Sequence, residues 1–162
     1  MPVSKAQTFY NDHVTPAIQD WRADEIAIHK AQLVATNLNH MADHYWESYQ
    51  HDSAKVLGQP TIGEFRRELA IHNPDFVLIR DICDAHKHCK LDRPSRKLTH
   101  SDQISTGAMG WGEGRWGEAR WSSPEEIVVP MMVVKNIISL GWWSASNECG
   151  LVCSEWPVTN VN

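Results

Sequence analysis

No apolar run in this chain approaches the roughly 20 residues that a bilayer span needs, so no membrane-crossing helix is expected. The first residues lack the apolar core of a secretory signal peptide, and a cytoplasmic location is the expectation. Cysteine is scarce. Cys83, Cys89, Cys149 and Cys153 have neither CxxC nor zinc-knuckle spacing, which leaves reduced thiols as the simplest reading. A basic surplus is missing too: 15 Lys and Arg against 20 Asp and Glu give a formal charge of -5. That excludes a general nucleic-acid binder and confines any such role to a local patch. Between Pro16 and Gly58 there is no helix breaker, and no histidine follows His100.

Against these absences, 162 residues are enough for one domain with a real core, and 42% hydrophobic residues with 22% charged is an ordinary soluble composition. Residues 1–94 read as a helical bundle, 95–130 as a Trp/Gly-rich insert of turns and short strands, and 131–150 as a C-terminal segment with a helix from about 131 to 147. The fold class expected is α+β, mainly α: about four helices with a small β-hairpin appendage. Thr15-Pro16 offers a cap followed by proline at the first helical position. From there to about Gln50, Ala27, Ala31, Val34, Leu38, Met41, Ala42, Tyr45 and Tyr49 share one face, which predicts a long amphipathic helix. After Gly58-Gln-Pro60, Thr61-x-x-Glu64 reads as a capping box for a short helix to about Ile71. Asn73-Pro74 starts the third helix, which Arg93-Pro94 stops.

That third helix, 73–91, concentrates the titratable chemistry. A helical wheel puts Leu78, Ile82, Ala85 and Cys89 on a buried stripe with His86 among them, and Cys83 is also expected to be buried. Asp81, Asp84 and His88 form a polar edge beside Lys87, and Arg80 sits one turn before Asp84, where an ion pair is easy. Three readings stay open: a catalytic Arg80 and His86, a divalent metal held by Asp84 and His88, or an entirely structural set.

Arg80 and His86, with five residues between them and polar Asp81 directly after the arginine, resemble the motif of HEPN-type ribonucleases. The resemblance covers the helices up to residue 92 together with that motif. It implies a metal-independent RNA cleavage in which His86 acts as general acid or base on a 2′-hydroxyl and Arg80 binds the scissile phosphate. It also implies a homodimer with a composite site and no cofactor. Two features depart from the family. The Trp/Gly-rich segment is foreign to a minimal HEPN bundle, and in an unbroken helix Arg80 and His86 point roughly 120° apart. The Asp84-Ala-His-Lys-His88 string also looks like stretches of small uncharacterised bacterial and phage proteins, a resemblance that carries no function.

His29, His40, His44, Glu47 and His51 fall on a stripe nearly opposite the apolar face, so an outward row is expected. His40 and His44, one turn apart, have metal-ligand spacing, and with Asp84 and His88 they are the metal candidates. The row also resembles DinB-like four-helix bundles, but the late histidine pair of that family is missing. Farther on, Trp111, Arg115, Trp116 and Arg120 belong to a Trp-Gly-Glu-(Gly/Ala)-Arg unit seen twice and followed by Trp121. Glu113 and Glu118 balance its arginines, which favours a structural cover or a protein-binding surface over nucleic-acid stacking. The leading functional expectation is therefore a HEPN-like endoribonuclease or toxin-type module of bacterial or phage defence. Its rival is a non-catalytic interaction protein of a phage or mobile element, with a His/Asp metal-binding bundle third.

Overall fold

The computed structural model describes residues 3–92, 96–107, 126–129 and 132–133. They form a mainly helical bundle beside a small antiparallel sheet. Helix α1 (Lys5–Phe9) runs through a π-helical turn (Tyr10–Val14) into α2 (Thr15–Arg22). Then come α3 (Ile28–Tyr49), α4 (Ile62–His72) and α5 (Asp75–Lys87). A 3-10 turn (Ser101–Gln103) leads to β1 (Ser105–Gly107), β2 (Glu126–Val129) and β3 (Met132–Val133). Four helical arms result, as expected in number but not in partition.

The first correction concerns the long helix. The expected uninterrupted run from Thr15 to Gln50 is broken at residues 23–27, where nothing in the composition forces a stop. Tertiary packing overrides local propensity here. Val14, Ala17 and Trp21 are buried, as are Ala31, Val34, Leu38, Met41, Ala42 and Tyr45. On one continuous helix these two stripes would be out of phase by roughly 90°, so both bury only if the chain turns back on itself. Trp21 Nε1 donates to the Glu25 carbonyl at 3.2 Å, and Lys30 bridges Asp20 and Asp24 at 3.3 and 3.8 Å across the turn. Thr15-Pro16 opens α2 with proline in the first turn, as expected, but Thr15 is helical and does not cap it: α2 continues from the π turn, whose wider ring (the Thr15 N–H donates to the Tyr10 carbonyl) accommodates a residue without an N–H.

The resulting hairpin is held by polar contacts as well as the core. The Ala6 N–H donates to Ser48 Oγ at 2.9 Å, and Asn37 Nδ2 donates to the His13 carbonyl at 3.1 Å. Gly58, at φ 69°, supplies the left-handed turn that frees the chain to enter α4. Thr61 caps α4 as expected, its Oγ accepting from the Glu64 N–H at 3.3 Å, while the Glu64 carboxylate accepts from the Thr61 hydroxyl at 2.7 Å rather than from the backbone N–H of a capping box. Phe65, fully buried on α4, meets Tyr45 and Trp46 of α3. Asn73 Oδ1 accepts from the Asp75 N–H at 2.9 Å, confirming the start of α5.

The second correction is the end of that helix. It stops at Lys87 rather than near Leu91, because residues 89–91 leave to pair with 99–101. The Leu91 N–H donates to the Thr99 carbonyl at 2.8 Å, and the Ser101 N–H donates to the Cys89 carbonyl. Cys89 is consequently exposed rather than part of the buried stripe, while Cys83 is buried as expected. Residues 127–129 form a strand as expected, with Ile127 and Val129 in the core. Met132–Val133, expected to open the last helix, instead pairs with β2. Residues 134–162 lie outside the described residues, and so does the segment 108–125 that joins β1 to β2. Among the described residues no helix is long and apolar enough to cross a membrane.

Two substitutions test this packing. Phe65→Ala should lower unfolding free energy by about 3–5 kcal/mol, and Thr61→Ala by about 1 kcal/mol, in urea titrations followed by circular dichroism. Equal effects at the two sites would contradict the placement of Phe65 at the centre.

Candidate functional site

Helix α5 carries two kinds of polar residue, and they fall differently from the wheel's division. Asp81, expected on a polar edge, is fully buried. Its Oδ1 meets the Arg96 guanidinium at 2.5 Å, and its Oδ2 accepts from the backbone N–H groups of Lys97 and Leu98 at 2.7 and 3.4 Å. A second nitrogen of Arg96 reaches Asp84 at 2.6 Å, in the place where Arg80 was expected. Burial opposes the charge of Arg96, but the hydrogen bonds from Asp81 and Asp84 outweigh it and raise the guanidinium pKa above its ordinary value. This carboxylate–guanidinium knot is spent on holding the chain after α5.

His86 moves the other way. Expected among buried residues, it is exposed, because the helix ends one residue later. Its Nδ1 lies 3.1 Å from Gln32 Oε1 on α3. A carboxamide oxygen only accepts, so Nδ1 carries the proton and Nε2 is left as the basic nitrogen. Arg80 is about one-third exposed, with one guanidinium nitrogen 3.6 Å from Asp81 and a buried Nε that has no hydrogen-bond partner. Arg80 and His86 thus share a helix but have different partners within the chain.

The outward stripe of α3 is partly covered. His44 stacks on Phe9 of α1, with ring centroids 3.8 Å apart and 14° between planes. A shallow cavity of about 300 Å³ opens there, lined by Val3, Lys5, Thr8, Phe9, His13 and His44. His29 and His51 are exposed, and Glu47 pairs with Lys5 at 3.5 Å. His40 is half-buried; burial first, and then the Lys87 ammonium, push its pKa below the ordinary value, with Arg66 and His44 adding to this and Asp43 opposing it.

The four metal candidates are not brought together. Asp84 is bound to Arg96, His44 lies flat on Phe9, and His88 leaves the helix in an extended conformation. Among the described residues no three His, Cys, Asp or Glu side chains form a metal-holding group. Trp111, Arg115, Trp116, Arg120 and Trp121 lie outside the described residues.

Sequence reasoning missed Arg96, Gln32 and Arg66. Nothing local marks Arg96, but a buried aspartate at position 81 required a cation from elsewhere, and an adjacent loop arginine is the nearest source. No protein-family model, curated protein or solved structure matches the chain.

The environment of His40 has a pH signature. Its folded-state pKa lies below the unfolded value near 6.5, so its contribution to stability is full above that value and is lost as pH falls through the folded-state pKa. An NMR titration of the His40 ring should give a midpoint under 6.5, rising in Lys87→Met. An unmoved midpoint in that variant would refute the proximity of Lys87.

Proposed function

We propose that this chain is a metal-independent endoribonuclease of the HEPN type, acting as a homodimer in which Arg80 and His86 carry the chemistry. The observation that carries the reading is the state of His86. It is exposed at the end of α5, with its Nδ1–H held by Gln32 and its Nε2 free to take a proton. RNA cleavage by internal transesterification needs that capacity: a base removes the 2′-hydroxyl proton as that oxygen bonds to phosphorus, and a cation neutralises the phosphate. The 5′-oxygen leaves as the P–O5′ bond breaks, taking a proton from the resulting imidazolium or from water. Arg80 has the cationic fork for the second task, and part of it reaches solvent. Their divergence on one helix is why the site is composed from two copies, the arginine of one serving the histidine of the other. The rival reading, an interaction protein without catalysis, rests on the acidic surface and on Trp111, Trp116 and Trp121, and those tryptophans lie outside the described residues.

Incubation of the purified protein with a mixed-sequence RNA in EDTA should produce fragments ending in 2′,3′-cyclic phosphate. His86→Ala and Arg80→Ala should each slow cleavage by about 10²-fold or more while leaving the far-ultraviolet circular dichroism unchanged. Undiminished cleavage by folded His86→Ala, or intact RNA with the unaltered protein, would sink the proposal.

A further inference from the structure

We infer that the cavity between α1, the π turn and α3 is a nucleotide pocket for the RNA strand. One nucleotide away from the scissile bond seats its base against the rings of His13, Phe9 and His44 and its phosphate on Lys5. The inference rests on the nuclease reading and gives the strand a second hold on the chain.

Hydrogen bonds that fasten the first helix across α3 build the pocket. Ser48 Oγ accepts from the Ala6 N–H at 2.9 Å, while the Ser48 hydroxyl donates to the His44 carbonyl at 2.8 Å. The Tyr49 hydroxyl donates to Ser4 Oγ at 3.1 Å, and Asn37 Nδ2 donates to the His13 carbonyl at 3.1 Å. Between these ties three rings follow one another. His44 lies on Phe9 at 3.8 Å with 14° between planes, and His13, one turn after Phe9, meets it at 4.9 Å and 34°. His13 belongs to the π turn, a geometry found frequently at functional sites.

The cavity holds about 300 Å³, within the range of small-ligand sites, and its lining selects the ligand. Phe9 and Val3 offer apolar contact, whereas Lys5, His13 and His44 bring nitrogens that can donate. Among the described residues no carboxylate lines it. A bare anion would leave the rings unused, and an uncharged ring would leave Lys5 unused. A nucleotide uses both, its base on an aromatic platform and its phosphate on a cation. Lys5 does pair with Glu47 at 3.5 Å, but those side chains are 74% and 56% exposed, so the pair is weak and yields to a phosphate.

Helix α3 also relates the pocket to the proposed chemistry. Gln32, which holds His86, and His44 both stand clear of the buried face of α3. At 1.5 Å per residue they are separated by roughly 18 Å along its axis. A strand cut at His86 and running along α3 reaches the pocket.

Adenosine 5′-monophosphate, inorganic phosphate and a fully 2′-O-methylated RNA oligonucleotide, which cannot be cleaved, are each titrated into the full chain. The His13 and His44 ring resonances are followed by NMR, with His72 of α4 as the control. The monophosphate and the oligonucleotide should shift both rings saturably, and inorganic phosphate should bind about tenfold more weakly than the monophosphate. Lys5→Met, a change at an exposed position, should weaken the oligonucleotide about tenfold and reduce the slope of log K against log salt by about 0.7. Unmoved His13 and His44 with both nucleotide probes, or Lys5→Met binding as tightly as the unaltered chain, overturns the pocket. Inorganic phosphate binding as tightly as the monophosphate removes the base from it, and monophosphate binding without oligonucleotide binding makes it a free-nucleotide site; either overturns the RNA assignment. Failure of the nuclease reading looks different: the probes and Lys5→Met respond as expected, but ordinary RNA stays intact.

Discussion

A carboxylate removed from water must have its charge met by the protein, and in this chain that constraint is Asp81. Its two oxygens take the Arg96 guanidinium and the N–H groups of Lys97 and Leu98, so one side chain on α5 holds three consecutive residues of the following loop. Much else depends on it. With residues 96–98 fixed there, residues 99–101 lie alongside 89–91, α5 ends at Lys87, and Leu98 enters the core. Beyond them the chain proceeds into β1 and the small sheet. Arg96 also binds Asp84, so Asp81 and Asp84 serve one structural purpose.

Division of labour along α5 follows. Asp81 and Asp84 are engaged in the fold, while Arg80, His86 and Lys87 reach solvent. Chemistry proposed for this surface must therefore use the basic residues, with the Asp81 and Asp84 carboxylates committed to Arg96. The same geometry removes Asp84 from any metal set with His40, His44 and His88.

Much of the fold was legible where a local rule acts. The Thr61 cap, the Asn73-Pro74 start and the apolar face from Ala31 to Tyr45 each depend on neighbours in sequence, and each forms. The break after Arg22 was legible only through the phase difference between the Val14–Trp21 and Ala31–Tyr45 stripes, since no glycine or proline marks it. The end of α5 was misplaced because the pairing of 89–91 with 99–101 is non-local. One wheel drawn through residue 91 then put His86 and Cys89 inside and Asp81 outside, the reverse of their positions. The candidate residues were correctly concentrated on one helix, but their exposure depended on Arg96 and on where that helix stops.

The central claim is that Asp81 and Arg96 act as one unit that organises the region after α5, and a double-mutant cycle measures this directly. Unfolding free energies are compared for the unaltered protein, Asp81→Asn, Arg96→Met and the double variant by urea denaturation. The account predicts large single losses and a double loss smaller than their sum by more than about 1 kcal/mol, because each single variant strands a buried partner. Losses that add to within about 0.5 kcal/mol would show that the two side chains do not depend on each other and would contradict it.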